Sequence, residues 1–359
     1  MRILFLIKDF DFGGAENHVC DLANAMNELG NEVFIIARKG FQHTRLNTGV
    51  HFTSRKVSTI LTPYQVVLIC NFLQKHKIDV IHAHKRLAIL QGCLAGKIMN
   101  IPVVATVHGR PKYDLRSGIS KNFADKIIFV SKRTMEANRD GNEFIKKAVL
   151  IHNGVKIIEN RDKRDYYSLC YISRHDKRHS SLISLLINDV LPDILKDFPE
   201  VSINIIGDGK YYKKLINEAS ILNTLYNREV CSMRGYIPEV KNIIRKSGLL
   251  LGVGRVAIEA LSCSVPVLAV NNKFLGTIIT ESNYNAYQLN NFVPVGSDSP
   301  DPLRMKKLLA DYFKNPVRYQ EETMKLRGIL IENLDIMKIA SNTLLIYKEV
   351  AELKRTSRR

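Results

Sequence analysis

Apolar positions along the chain fall into two patterns that take turns. Short, nearly continuous β-branched runs (RILFLI, EVFIIAR, DVIHAH, PVVATVH, KIIFVS, AVLIHNGV) alternate with segments such as AENHVCDLANAMNELG, PYQVVLICNFLQKHK and AILQGCLAGKIMN, where apolar residues recur at helical spacing. Continuous runs suit strands buried on both faces, and the periodic segments suit helices that cover them. The alternation therefore predicts an α/β fold built on parallel sheet.

The pattern pauses in a polar, charged stretch after Gly154 and then restarts with LCYIS, a helix near 180–197, SINIIGDG, a helix near 211–222, EVCSMRGY, a short helix near 238–246, GLLLGVG, a helix from about 255, and VPVLAV. Two Rossmann-like domains are expected to face each other across a cleft. Their boundaries are read as 1–156, a linker at 157–167, and 168–332. Residues 333–359 form a helix and basic tail expected to pack back on the first domain. In open α/β sheets ligands sit beyond the carboxyl ends of the strands, so the cleft is the expected site.

Composition narrows the class. With 359 residues, 45% hydrophobic and 25% charged, the chain has room for two cores and reads as a globular protein. Six cysteines stand without any C-x-x-C pair, and the opening ILFLI is followed at once by Lys8 and Asp9. A reducing, cytoplasmic setting with free thiols is expected, with no signal peptide. The formal charge of +18 calls for an anionic partner: nucleic acid, a membrane surface or a phosphorylated substrate. No basic-aromatic module for nucleic acid appears. The basic stretch 110–126, with Tyr113 and Phe123 among its cations, suits a membrane or acceptor lip, while the tail LKRTSRR suits a solvated end.

The run LLLGVGRVAIEALSCSVPVLAV at 249–270 is the most informative stretch. Arg255 and Glu259 near its centre argue against a membrane span, at roughly 2.5–3.5 kcal/mol each. Gly252, Gly254 and Ala257 fit a dinucleotide fingerprint, but the following strand ends in Asn271-Asn272 where an acid is required. A glycine turn that receives a phosphate or sugar hydroxyl is the better fit, and a plain strand-turn-helix is the bland alternative. Arg255 and Glu259, four apart, could also simply pair.

Other turns carry similar chemistry. Gly13 and Gly14 before a helix allow close approach of a phosphate or sugar. Asp9 and Asp11 spell D-x-D, a weak signal for a divalent ion, and His82 and His84 lack a third ligand at metal spacing. His108 ends a strand and faces the expected cleft. Arg174, Lys177 and Arg178 put three cations on one βα loop, suited to a diphosphate, and Gly207 and Gly209 make a further strand-glycine-helix turn.

Taken in order, these motifs resemble those of the family-4 glycosyltransferases of the GT-B class. The resemblance rests on Gly13-Gly14-Ala15-Glu16, Thr106-Val-His108-Gly109, Ser131, Asn153-Gly154-Val155, Ser173-Arg174, Gly207-Asp208-Gly209, Glu259-Ala260-Leu261 and Pro266-Val267, and it runs through most of the chain. It implies that Arg174 contacts the donor diphosphate, with Lys177 or Arg178 beside it. It further implies that Glu259 hydrogen-bonds the donor ribose, that the 252–255 backbone meets phosphates or sugar, and that His108 lies near the transferred sugar and acceptor. Gly13, Gly14, Gly207 and Arg255 complete the implied donor site.

Three departures stand out: Leu251 occupies the position of the family's first acid, His179 that of its loop lysine, and Ser264 that of a glycine. The implied function is a retaining, metal-independent, cofactor-free transfer of a sugar from a UDP-, GDP- or ADP-sugar. The acceptor would be a lipid-linked or polysaccharide acceptor of bacterial surface glycan (lipopolysaccharide, O-antigen or capsule) at the inner face of the cytoplasmic membrane. The alternatives are a nucleotide-sugar epimerase of the same architecture and a non-catalytic partner that only binds the donor.

Overall fold

The computed structural model describes residues 1–55, 61–109, 118–137, 146–159, 162–237, 239–294, 296 and 298–356. The chain divides into two compact units, Met1–Lys156 with Glu332–Arg359, and Ile157–Ile331.

The first unit holds a seven-stranded sheet in the order β3-β2-β1-β4-β5-β6-β7. Its strands are β1 Arg2–Phe10, β2 Glu32–Lys39, β3 Val50–Ser54, β4 Val80–His84, β5 Val103–Val107, β6 Lys126–Phe129 and β7 Ala148–Leu150. All their pairings are parallel. Alternation along β1 explains the two covered faces. Ile3, Phe5 and Ile7 pack with helix Gly14–Glu28 and with Ile336, Ile339 and Tyr347 of the C-terminal helix, whereas Leu4 and Leu6 pack with Val66 and Ile69 of helix Thr62–Lys75 and Ile89 of helix Arg86–Met99. The strand order reverses between β1 and β4, which makes their carboxyl ends the ligand edge of this sheet.

The second unit holds a six-stranded sheet, β10-β9-β8-β11-β12-β13. Its strands are β8 Asp165–Ile172, β9 Ser202–Ile206, β10 Cys231–Gly235, β11 Ser247–Gly252, β12 Val267–Val270 and β13 Leu275–Ile278. Of these six, β13 alone runs antiparallel to its neighbour. Here the order reverses between β8 and β11.

Several elements differ from the pattern-based expectation. Strand β8 begins at Asp165, inside the stretch read as linker, because Asp165 already pairs in register with Ser247 of β11. The edge strands β3 and β13 carry no apolar pattern that marks them; VHFTS is half-exposed and LGTI is too short to show a period. The helix expected near 180–197 is three pieces: Lys177–Leu185, a π-helical turn Leu186–Val190, and Leu191–Asp197. Pro192 at the start of the last piece has no N–H to give to the preceding turn, and the wider turn absorbs the mismatch.

Gly154 shows why an Asn-Gly-Val segment sits where the chain leaves the first sheet. A Cβ there would lie 2.8 Å from Cδ1 of Ile336, while Val155 and residues 334–336 exchange backbone hydrogen bonds of 2.8 and 3.1 Å. The C-terminal helix Ile336–Thr356 thereby docks on helix Gly14–Glu28 of the first unit.

Candidate active site

At the ligand edge of the first sheet, Gly13 (φ 152°) turns the chain from β1 into helix Gly14–Glu28. The two acids of Asp9-Phe-Asp11 serve the local frame: Asp9 pairs with Arg38 at 2.8 Å, and Asp11 accepts the Phe41 N–H at 3.2 Å. Glu16, buried in the helix's first turn, is bound by Lys85, which sits just past β4 at φ 65°. That ion pair spans the point where the strand order reverses.

Four histidines gather at the same edge. His82 and His84 are fully buried on β4, His18 is buried on helix Gly14–Glu28, and His108 follows β5. The rings of His84 and His108 are stacked 5.2 Å apart, with His84 Nδ1 2.9 Å from His108 Nε2; His18 lies edge-on to His108 at 5.3 Å. His82 is committed elsewhere. Its Nε2 lies 2.6 Å from Thr106 Oγ1, and its Nδ1 meets the Tyr347 hydroxyl of the C-terminal helix. Burial pushes the His82 pKa down to about 3, with the nearby His108 adding to the effect, and burial likewise holds His84 well below the ordinary imidazole value. Neither the helix Ile336–Thr356 nor Thr106 signalled this contact in the sequence, since Tyr347 and His82 are far apart along the chain.

At the ligand edge of the second sheet, Arg174 is exposed on the loop after β8. Lys177 and Arg178 are exposed too, but they are the first residues of helix Lys177–Leu185 and not part of the loop as the cation count suggested. The reason is Asp176, whose carboxylate caps the helix by accepting the N–H groups of Arg178 (2.9 Å) and His179 (3.1 Å). His179 also turns its ring back, Nδ1 2.9 Å from the same oxygen. These contacts and the capping pull the Asp176 carboxyl below its ordinary value although desolvation opposes them.

The loops after β8, β9 and β10 interlock by main-chain hydrogen bonds. Ser173 N–H donates to Ile206 O (3.1 Å), His175 N–H to Asp208 O (2.9 Å), Gly207 N–H to Gly235 O (2.7 Å) and Tyr211 N–H to His175 O (3.1 Å). Only glycine allows this approach. A Cβ on Gly207 (φ 139°) would collide with the Ser173 carbonyl oxygen, and one on Gly209 (φ 153°) would stand 2.7 Å from the His175 carbonyl oxygen. Arg174 is therefore carried on a loop fixed from both sides.

The informative run resolves into β11, a short turn and helix Arg255–Ser262. Gly252 ends the strand, and Gly254 (φ 65°, ψ −134°) caps the helix in a conformation that favours glycine. Arg255 and Glu259 pair at 2.9 Å with both side chains more than nine-tenths buried. The pair is thus not the weak surface contact their spacing allows; removing one member would strand a buried charge, at about 3–5 kcal/mol. Leu251 does not stand at the site. It is fully buried in β11, in register with Tyr171 and Leu268, inside the second unit's core.

The segment 110–117, with Tyr113 and three of the five cations of the basic stretch 110–126, lies outside the described residues, as do tail residues 357–359. Among the described residues no group of three or more His, Cys, Asp or Glu is arranged to hold a metal ion. The six cysteines form no disulfide.

Comparison with known proteins gives two adjoining family matches: "Glycosyltransferase Family 4" over residues 12–158 and "Glycosyl transferases group 1" over residues 158–312. An uncharacterized glycosyltransferase of Methanocaldococcus jannaschii is 28% identical over 296 residues, covering 76% of this chain and 79% of the relative. A phosphatidyl-myo-inositol mannosyltransferase of Mycobacterium tuberculosis is 22% identical over 367 residues, covering 94% of this chain and 94% of the relative. Among solved structures, Anabaena HepE in complex with UDP superposes with a TM-score of 0.72 at 18% identity, covering 97% of this chain and 100% of that one.

Proposed function

We propose that this chain, which belongs to the glycosyltransferases of the family 4 and group 1 type with a GT-B fold, transfers a sugar from a nucleotide sugar to a lipid-linked acceptor. The observation that carries the donor half is the placement of Arg174, Gly252, Gly254 and Glu259 around the strand-order reversal of the second sheet, where such folds bind nucleotides. Arg174 lies outside helix and strand, on a loop immobilised by Gly207 and Gly209, so its guanidinium can meet a diphosphate at little entropic cost.

In the proposed reaction the bond between the anomeric carbon and the diphosphate oxygen breaks, and Arg174, with Lys177 or Arg178, stabilises the charge that builds on the leaving nucleoside diphosphate. The acceptor hydroxyl oxygen forms the new bond to that carbon and gives up its proton to a departing phosphate oxygen. Glu259 binds the donor ribose, Gly13 and Gly14 offer backbone to the sugar or acceptor, and His108 contacts the transferred sugar. The transfer is read as retaining and independent of a metal or cofactor.

Two observations support an acceptor at a membrane. The charge of +18 favours an anionic surface, and helix Thr62–Lys75 exposes Tyr64 and Val67, with Leu61 just before it, on one side of the first unit. No helix among the described residues is long and apolar enough to cross a bilayer, so attachment to the inner face would be peripheral. The relatives include phosphatidyl-myo-inositol mannosyltransferases, which supports a lipid acceptor more directly than a lipopolysaccharide or capsule. A thermal-shift panel of UDP-, GDP- and ADP-sugars tests the donor half. One nucleotide class should raise the melting temperature, and about 2.7 kcal/mol of stabilisation is expected at a hundred times its Kd; no shift with any of them would remove the donor assignment.

A further inference from the structure

We infer that Asn291 determines sugar specificity: its side-chain amide hydrogen-bonds a hydroxyl of the donor sugar at the Gly252–Gly254 turn. The inference deepens the proposed function and rests on the reading that this turn receives the nucleotide sugar.

The turn has no polar side chain of its own. It runs Gly252-Val253-Gly254, and Leu251 before it lies in the core. Beyond the main chain of the turn, hydrogen bonding to a sugar placed over it falls to a side chain from another segment.

Asn291 is the neighbour that reaches it. A Cβ added to Gly254 would lie 3.5 Å from Asn291 Nδ2 and 3.8 Å from Asn291 O, and no atom of another segment among the described residues comes as near. Asn291 arrives there just past helix Tyr284–Leu289 with φ 54°, and Phe292 follows with φ 59°. Two consecutive non-glycine residues in the left-handed region are unusual, and for a phenylalanine that backbone is an outlier. The surroundings hold it there. Phe292 is buried with its ring edge-on to Tyr284 at 5.8 Å, and the N–H groups of Asn291 and Phe292 donate to Gln288 O (3.0 Å) and Tyr287 O (2.7 Å). The Asn291 amide is thereby fixed beside the turn.

Asparagine tolerates positive φ because its side chain ordinarily bonds to nearby backbone. That reason does not apply to Asn291. The residue is half-buried, its amide is not shut from solvent, and it hydrogen-bonds to none of the described residues. Glycine would adopt the same backbone without a steric cost. What asparagine adds is an N–H donor and a C=O acceptor at the edge of the turn. A sugar hydroxyl both donates and accepts, so the amide can meet it in either sense. A phosphate oxygen only accepts, and it would leave the amide oxygen facing an anion.

Calorimetric titration of the full chain tests the assignment, with UDP, GDP and ADP and then with the glucose, galactose, mannose and N-acetylglucosamine forms of the nucleotide that binds. The wild type should bind one sugar form more tightly than the others. Asn291→Gly relieves the backbone and should melt at or above the wild-type temperature. It should bind the nucleoside diphosphate with wild-type affinity and the preferred sugar form about tenfold more weakly. An unchanged sugar preference in Asn291→Gly, or a wild type without one, overturns the inference. So does an equal loss for the nucleoside diphosphate, which would place Asn291 at the phosphates. A wild type that binds no nucleotide fails earlier, at the donor reading itself, and removes the inference with it.

Discussion

Leu251 is where residue-level reading changes most. Counted along the motif, it occupies the place of an acid expected at a donor sugar. In three dimensions the strand carries its side chain into a core with Leu169, Tyr171 and Leu268. Restoring the acid would therefore place a carboxylate among aliphatic side chains. Leu251→Glu should destabilise the fold by roughly 3 kcal/mol or more, measured by chemical denaturation, and should gain no activity. A variant that unfolds at the wild-type midpoint would put position 251 at the surface of the site. The same stretch shows what spacing conveys and what it omits: the four-residue interval between Arg255 and Glu259 announces their pairing, whereas their burial depends on surroundings that no interval records.

Among elements, the glycine turns were plain in the sequence and their reason was not. Gly207-Asp-Gly209 is recognisable as a strand-to-helix turn, but what demands glycine is the Ser173 and His175 backbone, contributed by a different loop. Gly207→Ala should lower stability by about 1–3 kcal/mol through backbone strain and displacement of the Ser173 carbonyl. It should weaken nucleotide binding in parallel, because the displaced loop carries Arg174; calorimetric titration of the variant showing wild-type affinity would detach Arg174 from that loop's geometry. Continuous apolar runs revealed every interior strand, while the edge strands β3 and β13, half-exposed or short, gave no comparable period. The contact of Tyr347 with His82 joins the last helix to β4 and could not be read from either segment alone.

The whole molecule combines a large positive charge with histidines kept neutral inside it. Burial lowers the pKa of His82 to about 3 and that of His84, His152 and His175 below the ordinary value. Above about pH 6.5 these rings are neutral in folded and unfolded chains alike, and they place no pH dependence on stability. As pH falls from there toward 3, the unfolded chain binds protons that the folded chain refuses. His82 alone should cost about 1.4 kcal/mol per pH unit in that window. Melting temperatures should hold level between pH 7.5 and about pH 6.5 and fall steadily from there to pH 4.5; a constant or rising value below pH 6.5 would mean that these rings take up protons in the folded protein. The two-unit α/β organisation was legible from alternation alone, and the charge of +18 pointed to an anionic partner without choosing one. The proposed sugar transfer depends on the Arg174 loop. Its most direct test is to follow labelled sugar from the stabilising nucleotide sugar into a phosphatidylinositol-containing vesicle, for the wild type and Arg174→Ala. The wild type should transfer, and kcat/KM should fall roughly 10- to 100-fold in the variant, as for one lost charge-assisted contact; a wild type that binds the donor yet neither transfers nor hydrolyses it, or a variant that turns over at the wild-type rate, would rule the proposed transfer out.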